Sequence, residues 1–280
     1  MILRRLLSSL TGRAHRQTEG FVFFLRQWSI EGNARMTASV LATMTPVRAI
    51  SPVMVERPPA QRITVVAPHP DDELMGAGGT LLRALSQSVS VCVIFLTDGA
   101  DDPGPRALRK EEAISVAAAL GYEPVFLGLP GGSSMLAGDA HRRLARAIDA
   151  SQPDVLFFPF ILDDNDDHRL ANSLLAAAAS GGLSWRGDVW SYQVYSVVPG
   201  NVLVPLGEFA AKKADAIRLY KSQSAIRDWA TFSLGLNAVN ARFTPRACRD
   251  THVESFLVLP LEQYLKAVNQ WVSHSAADHS

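Results

Sequence analysis

The run VVAPHPDDELMGAGGT, residues 65–80, carries an apolar strand into His69, Asp71, Asp72 and Glu73 before a glycine-rich helix begins. Three carboxylates and an imidazole at the end of a buried strand cost on the order of several kcal/mol unless something offsets them, and a divalent cation is the simplest offset. A second run, ILDDNDDHRLAN over 161–172, puts four aspartates ahead of His168. His69, one carboxylate of the first run and His168 make a two-histidine, one-carboxylate set with coordination positions left open. Such a set suits zinc or ferrous iron rather than calcium or magnesium. Asp167 is placed either to hold a ligand histidine from behind or to cap the helix that starts at His168.

The two runs lie almost a hundred residues apart, so the fold has to bring them together. From Arg62 the pattern alternates strand and helix. RITVVAP (62–68), VSVCVIFLT (89–97), PVFLGL (124–129) and PDVLFFPF (153–160) read as strands, and VWSYQVYSV as a fifth. Between and after them, helical periodicity runs through ELMGAGGTLLRALSQ, RALRKEEAISVAAALG, DAHRRLARAIDA and HRLANSLLAAAAS, then through GEFAAKKADAIRLYKSQSAI as one long helix. Near-continuous apolar strands alternating with helices predict an α/β fold: a Rossmann-like three-layer sandwich around a mostly parallel sheet. With strand order 3-2-1-4-5, strands 1 and 4 are neighbours at the switch point, and a ligand binds beyond their carboxyl ends. Both charged runs follow those two strands. GAGGT lacks the spacing of a dinucleotide fingerprint, and PHPDDE occupies the place where one would begin, which argues against a nicotinamide enzyme. TDGADDPG (97–104) reads as a turn.

The 280 residues, 48% hydrophobic and 19% charged with no net charge, can bury a large core and carry no global field for nucleic acid. No apolar run approaches the roughly 18 residues of a membrane span. Cys92 and Cys248 form no disulfide framework, and Cys92 falls inside a strand, so a reducing compartment, the cytoplasm, is expected. Residues 1–61 differ in kind: eight arginines, no lysine and three glutamates give the segment +5 and the remainder −5. It is read as an N-terminal extension and linker, partly disordered, ahead of a domain over 62–280; an amphipathic surface contact by residues 1–30 is the sharper alternative. No cleavable signal is evident.

PHPDDE, together with FLTDG, LRKEEAISVAAALG, LGLPGG, a downstream DDH and LYKSQ, resembles the PIG-L/LmbE-like zinc-dependent N-deacetylases, whose signature is a hydrophobic strand followed by A-H-P-D-D-E. By motif order the resemblance spans roughly 62–258. It implies hydrolysis of the acetamide of an N-acetylglucosamine-type unit in a small glycoconjugate, such as a glycosyl-inositol or glucosaminyl malate. It also implies His69, Asp72 and His168 as metal ligands, Asp71 as catalytic base, and Arg109 holding substrate or the leaving acetate. The chemistry agrees with these types: zinc lowers the pKa of bound water to about 7 and polarises the carbonyl, while a carboxylate beside the metal-binding one takes the water proton and returns it to the amine.

Two positions depart from the family. Asn165 stands where members carry the histidine credited with stabilising the oxyanion, and asparagine donates a hydrogen bond but carries no proton. Gly131 replaces the usual aspartate of the LPGG segment. These departures keep a second reading alive, a catalytically weak or inactive carbohydrate- or metal-binding relative. Tyr220–Gln223 and HVESF (252–256) are assigned to packing or to the pocket wall. The oligomeric state is left open.

Overall fold

The computed structural model describes residues 32–43, 52–99 and 103–277. In chain order the elements are α1 (Gly32–Thr43), β1 (Val53–Met54), β2 (Arg62–Ala67), α2 (Asp72–Ser86), β3 (Ser90–Phe95), α3 (Pro103–Leu120) and β4 (Glu123–Phe126). A 3-10 turn at Gly132–Leu136 leads to α4 (Ala140–Ser151), β5 (Val155–Pro159), α5 (Asp166–Ser180), β6 (Asp188–Tyr192) and β7 (Val202–Pro205). Then come α6 (Phe209–Ile217), α7 (Lys221–Ser224), α8 (Trp229–Ala241), β8 (Val253–Pro260) and α9 (Leu261–Ala277).

The strands form one sheet in the order β1-β7-β8-β6-β5-β2-β3-β4. Its centre has the predicted topology: β2 pairs in parallel with β3 on one side and with β5 on the other, Val65 lying opposite both Val93 and Phe157. β8 is the strand that runs against its neighbours β6 and β7. Alternate residues of each central strand serve opposite faces. Ile63, Val65 and Ala67 of β2 and Phe157 of β5 pack under α2, α3 and α6, whereas Val66, Leu156 and Phe158 pack under α4, α5 and α9. Burial on both faces is why these strands read as unbroken apolar runs.

The long helix expected over 207–226 is two helices, α6 and α7. Between them Tyr220 leaves helical geometry and turns into the core, 1% exposed, with its hydroxyl on Glu73. Val253–Phe256 of HVESF form the first half of β8, and β1 and β7 are too short to announce themselves in the pattern. Part of the segment set apart as an extension is packed: Val40 of α1 joins the core, Ser39 Oγ donates to Gln270 Oε1 of α9 at 2.9 Å, and β1 pairs with β7. Residues 1–30 lie outside the described residues.

The GAGGT stretch serves close approach. A Cβ on Gly76 would stand 2.1 Å from Tyr192 Cδ2, so only glycine lets α2 lie against β6. Further along α2, the carboxylate of Glu254 accepts from the Gly79 and Thr80 amides at 2.9 and 2.8 Å and from the Thr80 hydroxyl, and pairs with Lys213 Nζ at 2.8 Å. Lys213 also donates to Met75 O and Asn237 Oδ1. Both charges are fully buried. Burial lowers the Lys213 pKa against the pull of Glu254. Removing one partner strands the other charge, so Glu254→Ala is expected to cost roughly 3–5 kcal/mol in denaturant unfolding, as buried pairs generally do. A loss below about 1 kcal/mol in that measurement would mean that water or a neighbour replaces the carboxylate.

Candidate active site

β2 ends at Ala67, and the chain then turns through Pro68-His69-Pro70 into α2. At the turn Asp71 has φ 109° and ψ −27°, a left-handed conformation that non-glycine residues enter at a cost of roughly 1–3 kcal/mol. Aspartate is among the side chains that tolerate it best. Across the switch point, β5 leads to a loop in which Asn165 caps α5, its Oδ1 accepting from Asp167 N at 2.8 Å. That cap faces His168 into the interior, 0% exposed, on the first turn. The cap, one of the two readings open for Asp167, is thus made by Asn165 instead.

Three donor atoms converge between the two turns. His69 Nδ1 lies 3.2 Å and His168 Nε2 3.1 Å from Asp72 Oδ2. One ligand atom from each of His69, Asp72 and His168 fits within 4.8 Å of the others, the span of a set closing on one ion. Each imidazole is backed by a carboxylate on its far nitrogen: Asp167 Oδ2 sits 2.9 Å from His69 Nε2, and Asp163 Oδ1 3.1 Å from His168 Nδ1. The approaches to His168 are close but not aligned for hydrogen bonding, and Asp72 Oδ1 is buried with no partner. Buried polar atoms without partners in a two-histidine, one-carboxylate donor set are what a divalent cation satisfies, so the residues fit a metal ion.

Asp167 therefore serves His69, and its Oδ1 accepts from Gly132 N at 2.7 Å, which ties the LPGG segment to the site. Asp163, which the sequence reading passed over, does the same for His168. Its Oδ2 faces the amides of Val194, Tyr195 and Ser196 at 3.0 to 3.3 Å. The available signal was its position just beyond the carboxyl end of β5, five residues before His168. Tyr195 stacks on His168 with ring centroids 5.6 Å apart.

Among the described residues the centre buries Asp71, Asp72, Glu73 and Asp163, with Asp167 half-buried; the Arg109 guanidinium faces Asp71, and buried Arg169 donates to the Asp163 carbonyl and pairs with Asp166. Protons make up part of the deficit. Burial, then Asp72, pushes the Asp71 carboxyl well up, with Arg109 opposing. Burial lifts Glu73 to about 7. Burial acts against the imidazolium of His168, yet Asp72 and Asp163 outweigh it and raise it to about 10. Burial also opposes ionisation of Asp72, but His168 and His69 hold it far below the usual carboxylate range.

Arg109, from α3, donates to the carbonyls of Pro70 at 2.8 Å and of Gly99, and its Nη2 lies 3.6 Å from Asp71 Oδ1. Gly99, with φ +77°, has to be glycine: a Cβ there would meet the Arg109 guanidinium at 2.6 Å. A pocket of about 310 Å³ opens beside the cluster, lined by His69, Thr97, Gly99, Arg106, Leu129, Gly131, Gly132 and Asp167. The stretch read as a simple turn thus supplies two of its wall residues, Thr97 and Gly99. A larger cleft of about 490 Å³ at the β1–β7 edge holds none of the cluster residues and no histidine, so size alone does not mark the chemistry.

A ligand imidazole must be neutral, and His168 keeps its proton up to about 10. An entering ion therefore displaces that proton across the neutral range: apparent affinity rises with pH, falls as the solution is acidified, and at least one proton is released per ion. Calorimetric titration with a divalent metal at pH 7, in two buffers of different ionisation enthalpy, is expected to read that release. Metal binding without net proton release would place the ion away from His168.

Residues 64–179 match the family described as PIG-L: GlcNAc-PI de-N-acetylase. Among solved structures the chain is similar to the N,N'-diacetylchitobiose deacetylase of Pyrococcus horikoshii, at 20% identity over 86% of this chain and 97% of that one, TM-score 0.60. It is similar to the conserved protein TT1542 of Thermus thermophilus, at 25% identity over 70% and 93%, TM-score 0.59. The same fold is shared by GalB, the 4-carboxy-2-hydroxymuconate hydratase of Pseudomonas putida, at 20% identity over 71% and 96%, TM-score 0.57.

Proposed function

We propose, for a chain whose residues 64–179 carry the PIG-L pattern, a zinc-dependent amidohydrolase that removes the acetyl group from an N-acetylated amino sugar conjugate. The observation that carries the reading is the convergence of His69, Asp72 and His168 within 4.8 Å, with Asp71 beside them and outside the ligand set. When held by those three residues, zinc, or ferrous iron in its place, supplies the Lewis acidity that an unreactive amide needs at neutral pH. Asp71 would be ionised once an ion on Asp72 offsets that carboxylate's charge, and in that form it accepts the proton of the attacking water. Its carboxyl, pushed up by burial and by Asp72, then delivers a proton to the departing amine.

Asp163 and Asp167 hold the two imidazoles in the orientation that presents His168 Nε2 and His69 Nδ1 to Asp72. Arg109, fixed by two carbonyls next to Asp71, retains substrate or the leaving acetate. With Asn165 Oδ1 engaged in capping α5, its amide nitrogen is the group left to donate to the developing oxyanion. The pocket of about 310 Å³ suits one sugar unit. Free Cys92 and Cys248 support a cytoplasmic location, and the zero net charge speaks against nucleic acid as a partner. No helix among the described residues is long and apolar enough to cross a membrane. In this reading the described part of residues 1–61 packs with the catalytic domain through Val40, Ser39 and β1.

A hydratase shares the fold, so the assay must identify the bond that is broken: acetate and a free amine, released together from a panel of N-acetylglucosamine conjugates, mark amide hydrolysis. Asp71→Asn is expected to keep its metal and lose about 10²-fold or more in kcat, the scale of a general base. Asp72→Ala is expected to lose metal and turnover together. Unchanged turnover in Asp71→Asn would take that residue out of the mechanism.

The second reading, a weak or inactive binding relative, draws on Asn165 in place of histidine. A preorganised oxyanion donor is worth about 2.7–4 kcal/mol. Asn165→Ala should therefore lower kcat with metal retained, while Asn165→His should maintain or raise kcat and add a pH dependence near the pKa of histidine. Turnover gained only in Asn165→His would favour the binding relative.

A further inference from the structure

The ion accounts for one of the three carboxylates in PHPDDE and the base for another, which leaves Glu73 without a role. It is fully buried and stands outside the ligand set. Both its oxygens are engaged. Oε2 accepts from the Asp71 amide at 3.0 Å, while Oε1 accepts from the Tyr220 hydroxyl at 2.7 Å and from the Tyr122 hydroxyl at 3.1 Å. The two tyrosines are buried and come from separate stretches of chain, Tyr122 between α3 and β4 and Tyr220 at the break between α6 and α7.

Asp71 is the residue in a left-handed turn at φ 109°, and such a conformation persists only where its surroundings over-determine it. Of the other backbone bonds there, Leu74 N and Met75 N to Asp71 O are those of an ordinary helix start, while Asp72 N to His69 O, long at 3.3 Å, closes a β-turn whose third residue, Asp71, takes positive φ in the type II form, so Glu73 acts together with that weak turn bond. The Glu73 carboxylate is the group that takes the Asp71 N–H in the turned geometry, and it is anchored from the opposite side by two phenols. We propose that Glu73, clamped by Tyr122 and Tyr220, is a positioning residue that locks Asp71 in its turn and keeps the Asp71 carboxylate beside Arg109. The break between α6 and α7 then has a purpose: it delivers the Tyr220 hydroxyl to Glu73. The kinetic part of this inference rests on Asp71 acting as the base; the structural part does not.

The test pairs crystal structures with kinetics and metal analysis on the full chain. Glu73→Ala is expected to release Asp71 from positive φ, with kcat down about 10²-fold, as for a misplaced catalytic group, and KM and bound metal unchanged. Glu73→Gln keeps an acceptor for the Asp71 N–H, and its amide can donate to the tyrosine oxygens, so it is expected to restore the torsion and most of kcat. Tyr220→Phe removes the shorter clamp and should lower kcat several-fold at constant KM; it carries the test if Glu73→Ala does not fold. Asp71 remaining near φ 109° with kcat intact in Glu73→Ala would overturn the proposal, as would loss of metal in step with activity. A wild type without turnover on any acetylated sugar would count against the deacetylase reading, and the Asp71 torsion in Glu73→Ala would still decide the positioning.

Discussion

Negative charge buried faster than the protein's own cations can neutralise it is the constraint around which this molecule is arranged. At the carboxyl ends of β2 and β5, Asp71, Asp72, Glu73 and Asp163 lie out of water, with the guanidinium of Arg109 at Asp71 and that of Arg169 on the Asp163 carbonyl. No apolar repacking satisfies that arrangement. It stands because two imidazoles sit between the carboxylates, because backbone amides line up on Asp163, and because protons stay on groups that would give them up in water. A site held this way has a place for a cation and a group poised to move a proton side by side, and the proposed chemistry uses both.

Holding so many charges in place needs a rigid frame, and the frame is redundant. Asp167 links His69 to the Gly132 amide, and Asp163 links His168 to the loop after β6. Glu73 links the Asp71 turn to two distant tyrosines. Below the site, Glu254 and Lys213 fasten the middle of α2 to β8 and α6. In each case a carboxylate buried at one end of a helix or strand is satisfied by groups from other elements. Displacing any one element would therefore leave an unpaired charge in the interior, which is costly enough to keep the geometry single-valued.

The fold itself does not choose the reaction. A deacetylase and a hydratase both resemble this chain at similar TM-scores, 0.60 and 0.57. Function rests on the particular side chains at the switch point. There the chain brings His69, Asp72 and His168 together with Asp71 beside them, and has Gly131 on the pocket wall and Asn165 at the helix cap.

What the amino-acid sequence by itself determined was the central topology, β4-β3-β2-β5-β6, and the meeting of its two charged runs. Apolar runs buried on both faces and helices of regular period are local signals, and the right-handed crossover rule orders them. The meeting of His69, a carboxylate of the first run and His168 was legible for the same reason, since strand ends at a switch point are fixed by topology; that the carboxylate is Asp72 was implied by the family resemblance alone. Tertiary structure alone decided which carboxylate stands behind which histidine, because Asp163 and Asp167 both lie within a few residues of His168 along the chain and are set apart by the helix cap at Asn165. It decided that α6 and α7 are two helices, since the gain from burying the Tyr220 hydroxyl on Glu73 overrides a helical pattern that continues through it. The outer strands β1, β7 and β8 likewise owe their pairing to partners far away in sequence. Such non-local hydrogen bonds leave no periodic trace in runs as short as β1 and β7.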